Sequence, residues 1–452
     1  MKHSLLALLF MVAPICVYGQ YNNYDLNSYI NPDFKRKSLD INFNSSGDFE
    51  KNNQLNNNKL NGNMAFTYNN IISSRKLQEN MSLGVSGLIS NNKSQKEFFD
   101  KLRNNIAQLD FNQKAHYYFT AKHFYEISPR AQVKYQYDKA TSNSSKVINA
   151  RTNSFRTEVE VDLGYGFGRI ENVTDARQAI YILEDLQAKG VLKKTLTTNE
   201  INELAHQMSI IKNKRQFDAR EKAIDELTFV NNYLISENYI DSVNTADYFF
   251  SLNDLWGNGD NVMREAGHRF KFGLAPTYIY QGVSNKNIEL DDAQNQSHIN
   301  KKNIDTKWGG TLYIDYAKEK PINLRFQRSF NIGVRNGLYR WRTRKSNEFL
   351  MHAYTRLAYG YFLDTRTYIE GAFNQHFYWN HTPESRVVRK LNTLSSDSSL
   401  DIKGYYFLSG QLKMFASCSL LCSYYREIEP NATNYHKYRH TKFEFGIQYS
   451  IF

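Results

Sequence analysis

The sequence predicts an all-β transmembrane barrel of about 14 antiparallel strands with an inserted α-helical segment. Three observations carry this. The last stretch, Lys442 to Phe452, alternates: Phe443, Phe445, Ile447, Tyr449 and Ile451 fall on one face, and Glu444, Gly446, Gln448 and Ser450 on the other. A two-residue period means a strand with one apolar and one polar side. The chain has a mean hydropathy of −0.62 yet carries 32 Tyr and 29 Phe. A barrel reconciles the two, because its strands need only alternate apolar residues plus aromatic girdles. The N-terminus reads as a secretory signal: Lys2 and His3, an apolar run from Leu5 to Val17, then Gly19.

Six alternating runs fill the first third. They are Leu39–Ile41–Phe43, Met64–Phe66–Tyr68, Met81 to Ile89, Ala115–Tyr117–Phe119–Ala121, Ala131–Val133–Tyr135–Tyr137, and Phe155 to Phe167. The sixth is the cleanest. Phe155, Thr157, Val159, Val161, Leu163, Tyr165 and Phe167 oppose Arg156, Glu158, Glu160, Asp162, Gly164, Gly166 and Gly168. Asn-rich links at 47–61, 91–111 and 138–152 read as long outer loops, and 70–76 and 125–129 as short turns.

Between Gly168 and Gly257 the only glycine is Gly190 and there is no proline. Apolar spacing shifts to three and four, the helical period. One helix starts at Thr174, with Thr174 as its cap, and stops at Lys189-Gly190. A second starts on a capping box of Thr197 and Glu200. The pattern resumes from Phe217 to Leu234, as a continuation of the same helix. Strand parity puts this insert on the periplasmic side.

Eight further runs follow: Phe270–Tyr280, then 307–317, 322–336, 348–362, 366–379, 402–415, 419–427 and 439–452. Short turns are expected at 317–321, 363–366 and 415–419, and long links at 283–305, 380–400 and 428–438. The organisation is therefore a signal at 1–19, an N-terminal segment at 20–36, barrel at 37–168, helical insert at 169–262 and barrel at 263–452. Pro276 and Arg328 fall on the lipid face. A bulge accounts for the proline; the arginine marks a bulge or an interface position.

The formal charge of +12 suits lipopolysaccharide phosphates or anionic solutes, and the export signal argues against nucleic acid. After signal cleavage Cys418 and Cys422 remain. On one straight strand they lie about 13 Å apart, beyond disulfide reach. Ile15 before Cys16 argues against lipidation.

With these residues together, Lys442–Phe452 above all, the chain resembles Gram-negative outer-membrane β-barrels. The segment GYGFGRIENVTDARQAIYILEDL (164–186) resembles a junction in barrels of an uncharacterised family bearing a helical insert. The terminal apolar set ends at Ile451, one residue out of phase with the usual terminal signal. The resemblance implies the cell outer membrane and carries no activity or site residues.

Candidate lumen charges are Glu158, Glu160 and Asp162 opposed by Arg130, Lys134, Arg325, Arg335 and Arg356, a pattern that selects solutes or fills the barrel with ion pairs. The run Arg340, Arg342, Arg344 and Lys345 reads as an outer-loop basic patch for lipopolysaccharide, or as a solvated loop. Gly164-x-Gly166-x-Gly168 lacks phosphate-loop spacing and reads as lumen-facing glycine. Neither His436/His440 nor His376/His381 has metal-ligand company. No nucleophile motif stands out, so no enzyme and no cofactor are expected. These features point to a channel or transporter whose insert gates it or docks a periplasmic protein. The alternative is a non-transporting envelope anchor.

Overall fold

The computed structural model describes residues 21, 24–31, 33–51, 56–94, 101–142, 147–214, 219–242, 245–259, 262–290, 296–343, 345–383, 391–429 and 432–450. The signal region, Arg344, Phe217 and the terminal Ile451-Phe452 lie outside them. Fourteen antiparallel strands, each bonded to its sequence neighbours, close into one barrel through β1 and β14. They are β1 Asp33–Lys51, β2 Asn56–Ser74, β3 Leu77–Ser94, β4 Lys101–Tyr118, β5 His123–Thr141, β6 Val147–Asn172, β7 Glu265–Leu290, β8 Gln296–Pro321, β9 Phe326–Trp341, β10 Ser346–Phe362, β11 Thr367–Thr382, β12 Leu391–Phe407, β13 Leu412–Glu429 and β14 Ala432–Ser450.

Side-chain parity follows the alternation. Phe155, Val159, Leu163 and Phe167 are exposed on the outside of β6, while Asp162 is buried inside. Outward aromatics gather near the insert end, where Tyr165 packs on Phe272 and Phe167 on Phe270. A second belt includes Tyr135, Phe155, Trp308 and Trp379. Tyr125 to Tyr135 on β5 is the length that a tilted strand needs to cross hydrocarbon, ~9–11 residues. No described helix is long and apolar enough to cross a membrane. A closed barrel with an apolar belt between aromatic girdles is an integral outer-membrane protein.

Several expected boundaries shift. The Asn-rich stretches are mostly strand: β1 runs to Lys51 and β2 starts at Asn56, and β6, β7 and β8 are 26 residues each. They stand as a hydrogen-bonded wall beyond the membrane, wet on both sides, so their sequence shows no alternation. The turns expected at 125–129, 317–321 and 415–419 lie inside β5, β8 and β13; the chain turns instead at 119–122, 322–325 and 408–411. β14 begins at Ala432, not 439.

Pro276 produces no bulge. The β6–β7 register is the same on both sides of it, and the ladder simply lacks its pairs at Val161 and Asp162. Pro129 leaves a like gap between β4 and β5 and pairs with Val161 from the other side. Arg328 faces outward beside Tyr359 and Lys320 in an unbroken register, close to the Phe326–Tyr361 stack. It therefore marks no bulge.

Four helices lie between β6 and β7: α1 Thr174–Ala188, α2 Thr198–Asn213, α3 Ala219–Ser236 and α4 Ala246–Asn258. The capping box on Thr197 and Glu200 is present. Thr174 is not the cap of α1; Val173 takes that position, and Asn172 Oδ1 accepts from the Thr174 amide. α2 ends at Asn213, so α3 is a separate helix. The main cluster of buried apolar side chains lies here, not in the barrel. Ile180, Leu183, Ile201, Leu204, Leu234 and Trp256 pack with Leu26 and Tyr29 of the N-terminal segment and with rim residues Ala266 and Leu324.

Candidate functional site

The lumen wall from β4 to β10 carries a connected set of charges. Arg130 on β5 pairs with Glu160 and, at 3.0 Å, with Asp162 on β6. Arg335 on β9 reaches the same two carboxylates at 3.4 and 3.3 Å and Asp315 at 3.5 Å. Four of the residues expected on the lumen wall thus meet. Three others stay apart. Glu158 pairs with Arg156 on its own strand at 2.7 Å, Arg356 pairs with Glu370 at 2.6 Å, and Lys134 sits opposite Arg156. Arg325 is not on the wall: it lies in the 322–325 turn, because β9 starts at Phe326 and not at 322 as the alternation suggests.

The centre of the network is Glu126, on β5 within the stretch 125–129 expected as a turn. It is 2% exposed. It accepts from Lys271 Nζ at 2.7 Å, the Tyr313 hydroxyl at 2.9 Å and Ser128 Oγ at 3.0 Å. Lys271 lies 3.7 Å from Asp315, which also accepts from the Tyr354 hydroxyl at 2.8 Å. The signal was available: Glu126 and Ser128 share the inward parity of Arg130. A polar cavity of about 190 Å³ remains between Lys114, His116, Glu126, Arg269, Asp315 and Arg335.

The inward glycines are the floor of this packing. A side chain at Gly164 or Gly273 would collide with the Tyr313 hydroxyl, and one at Gly166 with the Phe124 ring. Gly168 adopts φ +90°, which glycine tolerates. These glycines therefore make room for aromatic rings and cradle no phosphate.

On the far wall His376 stacks with His352 and Tyr378 inside the lumen, and His352 Nε2 lies 3.0 Å from His376 Nδ1. His381 faces outward beside Trp379, so His376 and His381 cannot share an ion. Arg340, Arg342 and Lys345 are exposed at the tip joining β9 and β10, where Lys345 takes φ +48°. Cys418 and Cys422 are free thiols on the outer face of β13.

The insert is tied to the rim at several turns. Buried Arg264 donates to the carbonyls of Leu324 (3.2 Å), Phe326 (2.6 Å) and Asn323. Arg366, in the turn joining β10 and β11, pairs with Asp254 of α4. Arg177 of α1 lies 4.5 Å above the Phe362 ring. On the opposite side Arg36 of β1 reaches Asp175 at 3.5 Å, and Asp175 pairs with the fully buried Lys212 at 3.0 Å. Half-burial of Glu184 raises its carboxyl, and Arg325 partly opposes this. Hydrogen bonds from Lys194 and Thr197 hold Glu200 down at about 2. α4 was not anticipated as a helix, although Tyr248, Leu252 and Trp256 recur at four-residue spacing.

No protein-family model and no curated protein matches the sequence. Among solved structures, the chain is similar to the translocator domain of the autotransporter NalP from Neisseria meningitidis, at 4% identity over 94% of this chain and 90% of that one, TM-score 0.31. The Pseudomonas putida toluene transporter TodX matches at 10% identity over 94% and 95%, TM-score 0.29. OmpT, an outer membrane protein of Vibrio cholerae, matches at 6% over 92% and 97%, TM-score 0.29. At such values the likeness carries no functional information.

Proposed function

We propose that the protein is a gated passage for a solute or polymer, held shut at rest by its helical insert, and not an enzyme. The insert end also holds the chain's first and last strand ends and most of the short turns, which supports a periplasmic position for the insert. The observation that carries the reading is the mechanical tie between insert and rim. Arg366–Asp254 and Arg36–Asp175 hold the helices to two separate sectors of the barrel mouth, and Arg264, just before β7, ties the root of the insert to the β8–β9 turn. A free docking arm has no need of such anchorage, whereas a plug does. The mixed charges of the wall would then set ion preference.

A second reading, an anchor that recruits a periplasmic protein, is favoured by Phe250 (75% exposed) and Ile224 (76%) on the insert.

Planar-bilayer conductance tests both. In a Cys418→Ser/Cys422→Ser background, Asp254→Cys with Arg366→Cys, joined by a reducible bifunctional thiol cross-linker that spans the length of the lost arginine, should silence the barrel when cross-linked and permit openings when the link is reduced. Removing residues 170–260 should leave it conducting continuously. Silence from every form, with folding confirmed by heat-modifiable migration, would favour the anchor.

A further inference from the structure

Thirteen of the fourteen seams of this barrel are zipped along most of their length. The closing seam is not. Among the described residues β1 and β14 pair only at Asp40–Ser450, Ile41–Tyr449, Asn42–Gln448 and Phe43–Ile447. A hydrogen bond from Ser450 to Asp40 pins this end. Beyond it β1 continues to Lys51 and β14 reaches back to Ala432, each held only by its other neighbour. Every residue from 433 to 445 is exposed, on inward and outward faces alike.

An unpaired strand edge facing hydrocarbon is costly, because lipid offers its N–H and C=O groups no partner. This edge therefore needs an occupant that is polar at one level and apolar at another. The side chains describe it. Phe443 is 76% and Phe445 66% exposed on the outward face near the paired rows. Further toward the outer end the same face carries Arg426, Lys437 and Arg439, which share cross-strand rows with Tyr435, Tyr424 and Cys422. The Arg426 guanidinium lies 5.2 Å from the Tyr435 ring centre. Among the described residues, no Asp or Glu occupies an outward position from β11 to β14; Glu370, Asp397, Asp401, Glu427 and Glu444 all have inward parity. Cations without carboxylates, above exposed aromatics and beside free backbone donors, match a phosphate-bearing amphiphile.

We propose that the β1–β14 seam is a lateral gate onto the outer leaflet, taking a phosphorylated lipid with its headgroup on Arg426, Lys437 and Arg439 and its chains against Phe443 and Phe445. This rests on the periplasmic placement of the insert, which protease accessibility of the insert in intact cells tests separately.

The experiment uses the full chain in nanodiscs of phosphatidylcholine with lipid A, reading lipid A retained per barrel by native mass spectrometry. Lys437→Glu/Arg439→Glu should cut retention at least about tenfold. Lys301→Glu/Lys302→Glu, exposed on the outer reach of β8, should leave it unchanged. Extending the register pairs position 45 with 445, so Ser45→Cys with Phe445→Cys, in the Cys418→Ser/Cys422→Ser background, provides a lock. Its oxidation should expel lipid A and its reduction restore binding. Retention unaffected by the charge reversal overturns the proposal, as does a lock that closes with lipid A still bound. Equal loss from the β8 variant would mean general surface charge, and full competition by inorganic phosphate would mean a free-anion site; either also overturns it.

Discussion

The Tyr313 hydroxyl donates to Glu126 Oε2 at 2.9 Å, joining β8 to β5 across two intervening strands. The ring lies over Gly273 and Gly164, the residues of β7 and β6 beneath its path. A tyrosine can make this span only where both floor positions lack a side chain. Its hydroxyl then completes a carboxylate already held by Lys271 and Ser128, as a buried charge requires.

Tyr313→Phe removes one donor from a buried carboxylate and should cost about 1–3 kcal/mol. Gly164→Ala should cost more, since its methyl meets both the Tyr313 hydroxyl and the Phe272 carbonyl oxygen at 2.8 Å. Urea midpoints of the reconstituted protein, read by heat-modifiable migration, order the two. A Gly164→Ala barrel as stable as wild type would refute the spanning role of Tyr313.

Val161 faces lipid between Pro129 and Pro276, and Val161→Arg should cost about 2–4 kcal/mol. Asp162, its inward neighbour, shares Arg335 with Glu160 and Asp315. Asp162→Asn leaves that arginine paired and should permit assembly. Equal stability of the two variants would invert the inside–outside assignment of β6.

Lys212 and Asp175 are both fully buried. Lys212→Met leaves a carboxylate with Arg36 as its remaining ion-pair partner and should destabilise the insert by about 3–5 kcal/mol. Lys212→Met/Asp175→Leu should recover much of that. Hydrogen exchange of α1 and α2 is the readout; no recovery in the double variant would mean that the pair is held by more than its mutual charge.

The α2 cap gives a pH signature. Glu200 sits at about 2 in the folded chain, below its ordinary carboxylate value. Its contribution is therefore complete above that ordinary value and fades as pH falls toward 2. Glu200→Gln should flatten the acid-range loss of protection in the first turn of α2, and Thr197→Ala should cost about 1 kcal/mol. An unchanged acid profile in Glu200→Gln would remove the cap from the account.

Cys418 and Cys422 stand on the same face of one strand, about 13 Å apart. Intact mass after mild oxidation should show no loss of two hydrogens.

The strand count, the inside–outside assignment and the helical nature of the insert were all legible in the sequence. Each rests on a local period, and a membrane enforces that period on every strand that crosses it. The extramembrane reaches of β6, β7 and β8 were not legible, because a strand wet on both faces has no alternation to display. Nor was the site. Residues 126 and 313 belong to strands joined only through two others, and their meeting depends on register and on the glycines between. Arg325 and Arg335 look alike in sequence; one lies in a turn under the insert and the other completes the lumen network. Where β9 begins decided the first, and the closed curve of the barrel decided the second, since closure sets which inward side chains share a cross-section.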